Sequence, residues 1–186
     1  MRILCVVIVL VISVCFSGNA ESLMLRDPAV SPDGTKVAFS LYGDLWVYTI
    51  ANDSLLHLTH NIDYDYRPLW SPDGKQIAFT SNRYGNYDVY TIPSTGGTAT
   101  RLTWHSLTDT ATDWSIDGRI YVMTYRDAEG VRTYSMKPDG SDYRMVLDYK
   151  VQYAKVNKKG EMLWYDSIIS RSEERRVGKE CRSRWS

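Results

Sequence analysis

Pro68-Leu69-Trp70-Ser71-Pro72-Asp73-Gly74-Lys75-Gln76-Ile77-Ala78-Phe79-Thr80 carries the strongest local signal in the chain. Its Ser-Pro-Asp-Gly core is a turn: Pro presets φ, Asp tolerates left-handed geometry, and Gly supplies the positive φ that closes it. Beyond the turn, Ile77 and Phe79 alternate with smaller residues at a period of two, as in a strand with one face in a packed interface. The stretch repeats Pro28-Ala29-Val30-Ser31-Pro32-Asp33-Gly34-Thr35-Lys36-Val37-Ala38-Phe39-Ser40 at an offset of 40 residues. A weaker copy, Thr112-Asp113-Trp114-Ser115-Ile116-Asp117-Gly118-Arg119-Ile120-Tyr121-Val122, follows at an offset of 44. A degenerate fourth, Ala154-Lys155-Val156-Asn157-Lys158-Lys159-Gly160-Glu161-Met162-Leu163-Trp164, lies a further 42 residues on.

Each copy continues into the same sequence of turns and strands. Tyr42-Gly43-Asp44 and Tyr84-Gly85-Asn86 form a second turn, Leu45 to Ile50 and Asp88 to Ile92 a third strand. Thr95-Gly96-Gly97-Thr98 then leads into a fourth strand ending Arg101-Leu102-Thr103, matched earlier by His57-Leu58-Thr59. A four-stranded meander of about 40 residues cannot bury both faces alone, and stacking such units around an axis resolves this. The expected fold is therefore all-β, a partial β-propeller of about three and a half four-stranded antiparallel blades. The blades fall near residues 26–60, 66–104 and 110–148, with a partial one at 150–169. Helical solenoids of similar period would need apolar residues at i, i+3 and i+4, which these segments lack. Closed propellers have about four to eight blades, so an array of this length is expected to expose an apolar face and to self-associate.

The ends differ from the body. Arg2, the apolar run Ile3 to Val14 and the small residues Gly18-Asn19-Ala20 predict a signal peptide over 1–20, and hence an exported, periplasmic or secreted protein. Ile12-Ser13-Val14-Cys15 loosely resembles a lipidation site, with bulky Val14 where a small residue is usual. Cys5, Cys15 and Cys181 all lie near the termini, so neither a disulfide framework nor a cysteine metal site can be built in the body. Residues 21–170 carry 15 Lys/Arg against 19 Asp/Glu, which argues against a nucleic-acid partner. Residues 171–186 carry six Lys/Arg and three Glu, have no alternation, and read as a disordered basic tail foreign to the repeat.

The pattern Pro-x-Trp-Ser-Pro-Asp-Gly-Lys-x-Ile-Ala-Phe-x-Ser-x-Arg-x-Gly from Pro68 to Gly85, followed by Asp88-Val89-Tyr90, Gly96-Gly97 and Arg101-Leu102-Thr103, is similar to the repeat shared by TolB, tricorn proteases and prolyl-oligopeptidase-like enzymes. With the first strand beginning directly after the leader, and with Asp63-Tyr64-Asp65-Tyr66-Arg67-Pro68 between blades, the chain most resembles the front of bacterial tricorn homologues. That resemblance implies a propeller that filters or guides peptides toward a serine peptidase core, with an oligomeric parent allowed. It transfers no catalytic residue to this sequence. The alternative is a noncatalytic, TolB-like propeller that binds protein partners.

Candidate chemistry within the chain is sparse. His57, His60 and His105 fall at or just after fourth-strand ends, and a strand would turn His57 and His60 to opposite faces, so no metal site is expected. There is no GxSxG elbow or HExxH motif, and no cofactor is implied. Asp33, Asp73 and Asp117 recur because the hairpin needs them. The candidate contact for a peptide or protein partner is the aromatic and charged loop Tyr64, Asp65, Tyr66 and Arg67, expected near one mouth of the central channel. After leader cleavage no membrane contact is expected.

Overall fold

The computed structural model describes residues 25–127, 130–147, 153–157 and 161–165. The leader, all three cysteines and the basic tail lie outside these residues. The first sheet comprises β1 (Leu25–Val30), β2 (Lys36–Leu41), β3 (Asp44–Thr49) and β4 (Ser54–His57). The second comprises β5 (Asp65–Trp70), β6 (Gln76–Ser81), β7 (Asp88–Pro93) and β8 (Thr100–Arg101). The third comprises β9 (Asp109–Trp114), β10 (Ile120–Asp127), β11 (Gly130–Met136) and β12 (Arg144–Leu147). In all three the strands lie side by side in chain order and pair antiparallel; β13 (Tyr153–Val156) and β14 (Met162–Tyr165) form a further hairpin. This is the expected all-β architecture of meander blades.

The Ser-Pro-Asp-Gly turns explain why the repeat is legible. Gly34 donates to the Ser31 carbonyl and Gly74 to that of Ser71, both at 2.9 Å, with φ of 74° and 70° at the two glycines. Ser31 Oγ donates to Asp33 Oδ1 at 2.6 Å and accepts from the Lys36 amide at 2.9 Å; Ser71, Asp73 and Gln76 repeat the arrangement. Hydrogen bonds from Ser31 and Thr35 hold the Asp33 carboxyl down to about 2. The third copy keeps the Gly118-to-Ser115 bond although Ile116 stands where Pro stood, because that turn position accepts most residues. Its hairpin is one residue shorter: Ser115 bonds the carbonyl of Arg119, four residues on, whereas Ser31 and Ser71 bond carbonyls five residues on.

Packing follows the period of two. Ile77, Phe79, Tyr90 and Ile92 of the second blade pack with Ala38, Leu45, Val47 and Leu58 of the first. Their neighbours Ala78, Val89 and Leu102 face the other way and pack with Ala111, Trp114, Ile120, Val122 and Met136 of the third. One residue's slip in β6 would exchange the two faces. Each fully buried Ile, Val or Phe side chain contributes about 1.5–3 kcal/mol, so these two interfaces supply the main cohesion between blades.

Charged groups are buried at repeat-equivalent points. Arg83 donates through Nη2 to both carboxylate oxygens of fully buried Asp65, at 3.1 and 3.0 Å, while its guanidinium carbon sits 4.7 Å from the Tyr90 ring centroid. Arg126 grips fully buried Asp109 in the same way through Nε and Nη2, and covers the Tyr143 ring at 4.5 Å. The third and fourth strands are tied by a second repeated device. Thr103 Oγ1 donates to Asp88 Oδ1 at 3.0 Å and accepts from the Val89 amide at 2.9 Å, and Arg101 Nη2 lies 2.5 Å from Asp88 Oδ2. In the first blade Thr59, Leu45 and Asp44 do the same, with His57 in the place of Arg101. Replacing Asp65 by Leu leaves the Arg83 charge buried without a partner and is expected to cost about 3–5 kcal/mol. The double substitution Asp65→Leu with Arg83→Met removes both charges and should recover much of that loss, as read from urea denaturation midpoints.

Candidate functional site

The first strands of successive blades, β1, β5, β9 and β13, pack next to one another. They wall an open groove of about 940 Å³ whose lining includes Asp27, Pro28, Arg67, Pro68, Asp113 and Lys155. Asp27 and Arg67 occupy the same repeat position in the first two blades, and Asp113 and Lys155 share another in the third and fourth copies. Each pair therefore places opposite charges on the first strands of neighbouring blades along the groove wall. Pro32, Trp70, Pro72, Trp114 and Ile116 give the rest of the wall an apolar character.

The groove wall contains strained backbone. Asp27 has φ 50° and Arg67 φ 54°, left-handed values that cost a non-glycine residue about 1–3 kcal/mol. Both sit where the pairing register shifts, between Arg26 and Ala29 in β1 and between Tyr66 and Leu69 in β5, and each precedes a proline. Asp113 is half-buried in the wall, and its Oδ2 accepts the Val156 amide at 2.8 Å. Burial pushes its carboxyl pKa upward in spite of that bond.

The structure separates the four residues expected at the channel mouth. Arg67 lines the groove, with its guanidinium 5.7 Å from the Tyr66 ring centroid. Asp65 is buried in its ion pair with Arg83, its amide donates to the Gly43 carbonyl at 2.7 Å, and its carbonyl accepts from Ser40 Oγ at 2.8 Å. Tyr66 packs edge-on against Tyr87 at 5.3 Å, and burial raises its hydroxyl pKa. Tyr64 lies against Gly43, where an added Cβ would come within 3.1 Å of its ring. Asp65, Tyr66 and Arg67 thus belong to a strand and not a loop, and Asp65 with Tyr64 forms a latch on the preceding blade. Sequence reading missed Asp27, Asp113 and Lys155 as groove residues; aligning the first strands of all copies would have shown them.

The histidines need one correction. His57 ends β4, so the chain is free to turn after it, and His60 meets His57 edge-on at 3.8 Å instead of facing away. His57 stacks on Trp46 at 3.9 Å and lies 2.8 Å from Asp44 Oδ2. His105 Nδ1 accepts the Leu107 amide. No group of three or more His, Cys, Asp or Glu side chains placed to hold a metal occurs among the described residues.

Four-stranded meanders joined through their first strands around a shared groove define β-propeller blades. The tricorn protease N-terminal β-propeller domain matches residues 22–177, and the chain belongs to that family. It is 34% identical over 119 residues to tricorn protease homolog 1 of Streptomyces coelicolor, an alignment covering 62% of this chain and 11% of that protein. In fold it is similar to the crystal structure of the tricorn protease, with a TM-score of 0.66 and 18% identity over 76% of this chain and 15% of that one. TolB from Acinetobacter baumannii is similar at a TM-score of 0.64 and 18% identity, over 75% of this chain and 37% of that one. The chain spans 18% and 11% of the length of the first curated relatives it matches.

Asp113 gives a pH test of the groove wall. Its folded pKa lies above the ordinary 3.8, so its contribution favours the fold at low pH and is lost as pH rises through the folded value. Asp113→Asn should leave the protein at least as stable at pH 7 and remove that part of the slope above pH 3.8. A destabilisation beyond about 1 kcal/mol in thermal or urea melts would show that the charged bond to Val156 outweighs burial.

Proposed function

We propose that this propeller guides peptide substrates toward the catalytic core of an exported serine peptidase of the tricorn type. The observation that supports this most directly is the groove on the first strands, which combines an apolar floor with Asp27, Arg67, Asp113 and Lys155. Peptides of mixed sequence present both charges and apolar side chains, and a wall of both kinds can hold them weakly along its length without selecting one residue. Of the proposed contacts, the one among the groove-lining residues is Arg67, which follows Asp65 and Tyr66 on β5 and has the Tyr66 ring beside its guanidinium. The leader read over 1–20 supports export.

A second reading, a TolB-like docking propeller for protein partners, is favoured by a different feature. Tyr84 and Trp104 are 67% and 72% exposed, and the Arg101 guanidinium lies between them, 4.8 and 4.5 Å from their ring centroids. Exposed aromatic and arginine side chains are common anchors in protein interfaces.

Two measurements separate the readings. In calorimetric titrations of mixed-charge decapeptides, Arg67→Glu or Lys155→Glu should weaken binding at least fivefold with the melting temperature retained, whereas Trp104→Ala should leave it unchanged. Binding lost only on Trp104→Ala would favour the docking reading, and no peptide binding up to millimolar concentration would overturn the guiding one. Export is tested by fusing residues 1–24 to a reporter phosphatase that needs disulfides to fold, which becomes active only outside the cytoplasm.

A further inference from the structure

The inner strands raise the question of how a peptide would be held in the groove. An innermost strand is a sheet edge, and such an edge ordinarily offers unpaired N–H and C=O groups to any extended chain laid beside it. Here each described inner strand has part of that edge removed or already engaged. In β1, Pro28 carries no N–H, and the strand is tied to the second blade by the Trp70 indole, which donates at 2.9 Å to the Ala29 carbonyl on the side that faces β2. In β5, Pro68 carries no N–H, and Asp65 engages its amide with Gly43 and its carbonyl with Ser40 of the first blade. In β9, the Asp109 amide donates to the Tyr87 carbonyl at 2.8 Å, and the Ala111 amide to Thr80 Oγ1 of the second blade at 3.0 Å. In β13, the Val156 amide is taken by Asp113 of the third blade.

The two prolines are reinforced by backbone geometry. Asp27 and Arg67, at matching repeat positions, each adopt a left-handed φ at a register shift just before the proline. Such a kink turns the strand away from the straight course that a partner strand would need to follow. The same strained feature occurs twice, 40 residues apart, on the wall of the groove and nowhere on β6 or β7 behind it.

From these edges we infer that the groove grips peptides through their side chains and termini, and not by adding the peptide as a further strand. The inference rests on the peptide-guiding reading and specifies its recognition mode. Peptide backbones lacking free amides are accepted as readily as ordinary ones, and affinity follows the charges that face Arg67 and Lys155. Charge-based gripping leaves the peptide able to slide, because no register of backbone bonds must be broken to advance it.

The test uses the full chain and two probes: a mixed-charge decapeptide, and the same decapeptide N-methylated at three alternate residues. Strand addition loses about fivefold in affinity per backbone bond, so three blocked amides would weaken binding on the order of a hundredfold. The proposal expects dissociation constants for the two peptides within tenfold, both weakened at least fivefold by Arg67→Glu and, independently, by Lys155→Glu. A loss beyond tenfold on N-methylation, or affinity indifferent to both charge reversals in folded variants, overturns the recognition mode while the guiding function stands. If neither peptide binds, the guiding function itself fails, and this inference with it.

Discussion

Two carboxylates held wholly out of water, Asp65 and Asp109, constrain how one blade meets the next. A buried charge is tolerated when it is paired and its lone pairs are filled, and Arg83 and Arg126 fill them from the end of the second strand in the same blade. Each aspartate also donates its amide backwards, to Gly43 or Tyr87 at the second turn of the preceding blade. The carboxylate fixes the start of the first strand within its own sheet, and the amide fixes that start against the neighbouring sheet. The course of the groove wall descends from these two contacts, because β5 and β9 both begin at the latched residue.

Side-chain size then sets the spacing. Ala38 and Ala78 point forward onto the large residues of the following blade, such as Phe79 and Trp114. Small residues facing large ones let the sheets approach closely without leaving a cavity. In the third blade Tyr121 sits between Ile120 and Val122 where alanine sits in the other two, and it is buried with its hydroxyl pKa raised. That blade therefore turns a bulkier face toward β13, in keeping with the weaker repeat there.

The hairpins were legible because a local turn writes itself into consecutive residues: Ser31 to Gly34 and Ser71 to Gly74 each close on themselves. The class of fold followed from their period. Less legible was any interaction whose partners stand far apart in the chain. Asp65 and Arg83 are 18 residues apart, and the loop containing Asp65 reads as a plausible surface contact until Arg83 is seen to close over it. The matching separation of 17 between Asp109 and Arg126 carries the signal, but it emerges only when blades are aligned by their strand ends and the one-residue shortening of the third hairpin is allowed for. His57 and His60 misled for a similar reason. Strand geometry was applied across a strand end, and the stack of Trp46, His57 and His60 forms just where that geometry stops.

The same inter-blade bonds that build the stack also shape what the groove can do. A propeller of this kind needs its first strands tied to their neighbours, and the tie draws on backbone groups on the free edge of those strands: the Asp65 and Asp109 amides, the Ala111 amide and the Val156 amide. Cohesion and strand addition would draw on one set of hydrogen-bonding atoms, and cohesion takes part of it. At the two positions where the strand kinks, the residues standing in the left-handed conformation are a carboxylate and a guanidinium instead of glycine. Glycine would relieve the strain at both sites and would offer a peptide nothing to hold. That charged residues stand there, at the cost of strained backbone, is what ties the charge of the groove wall to the architecture of the blades.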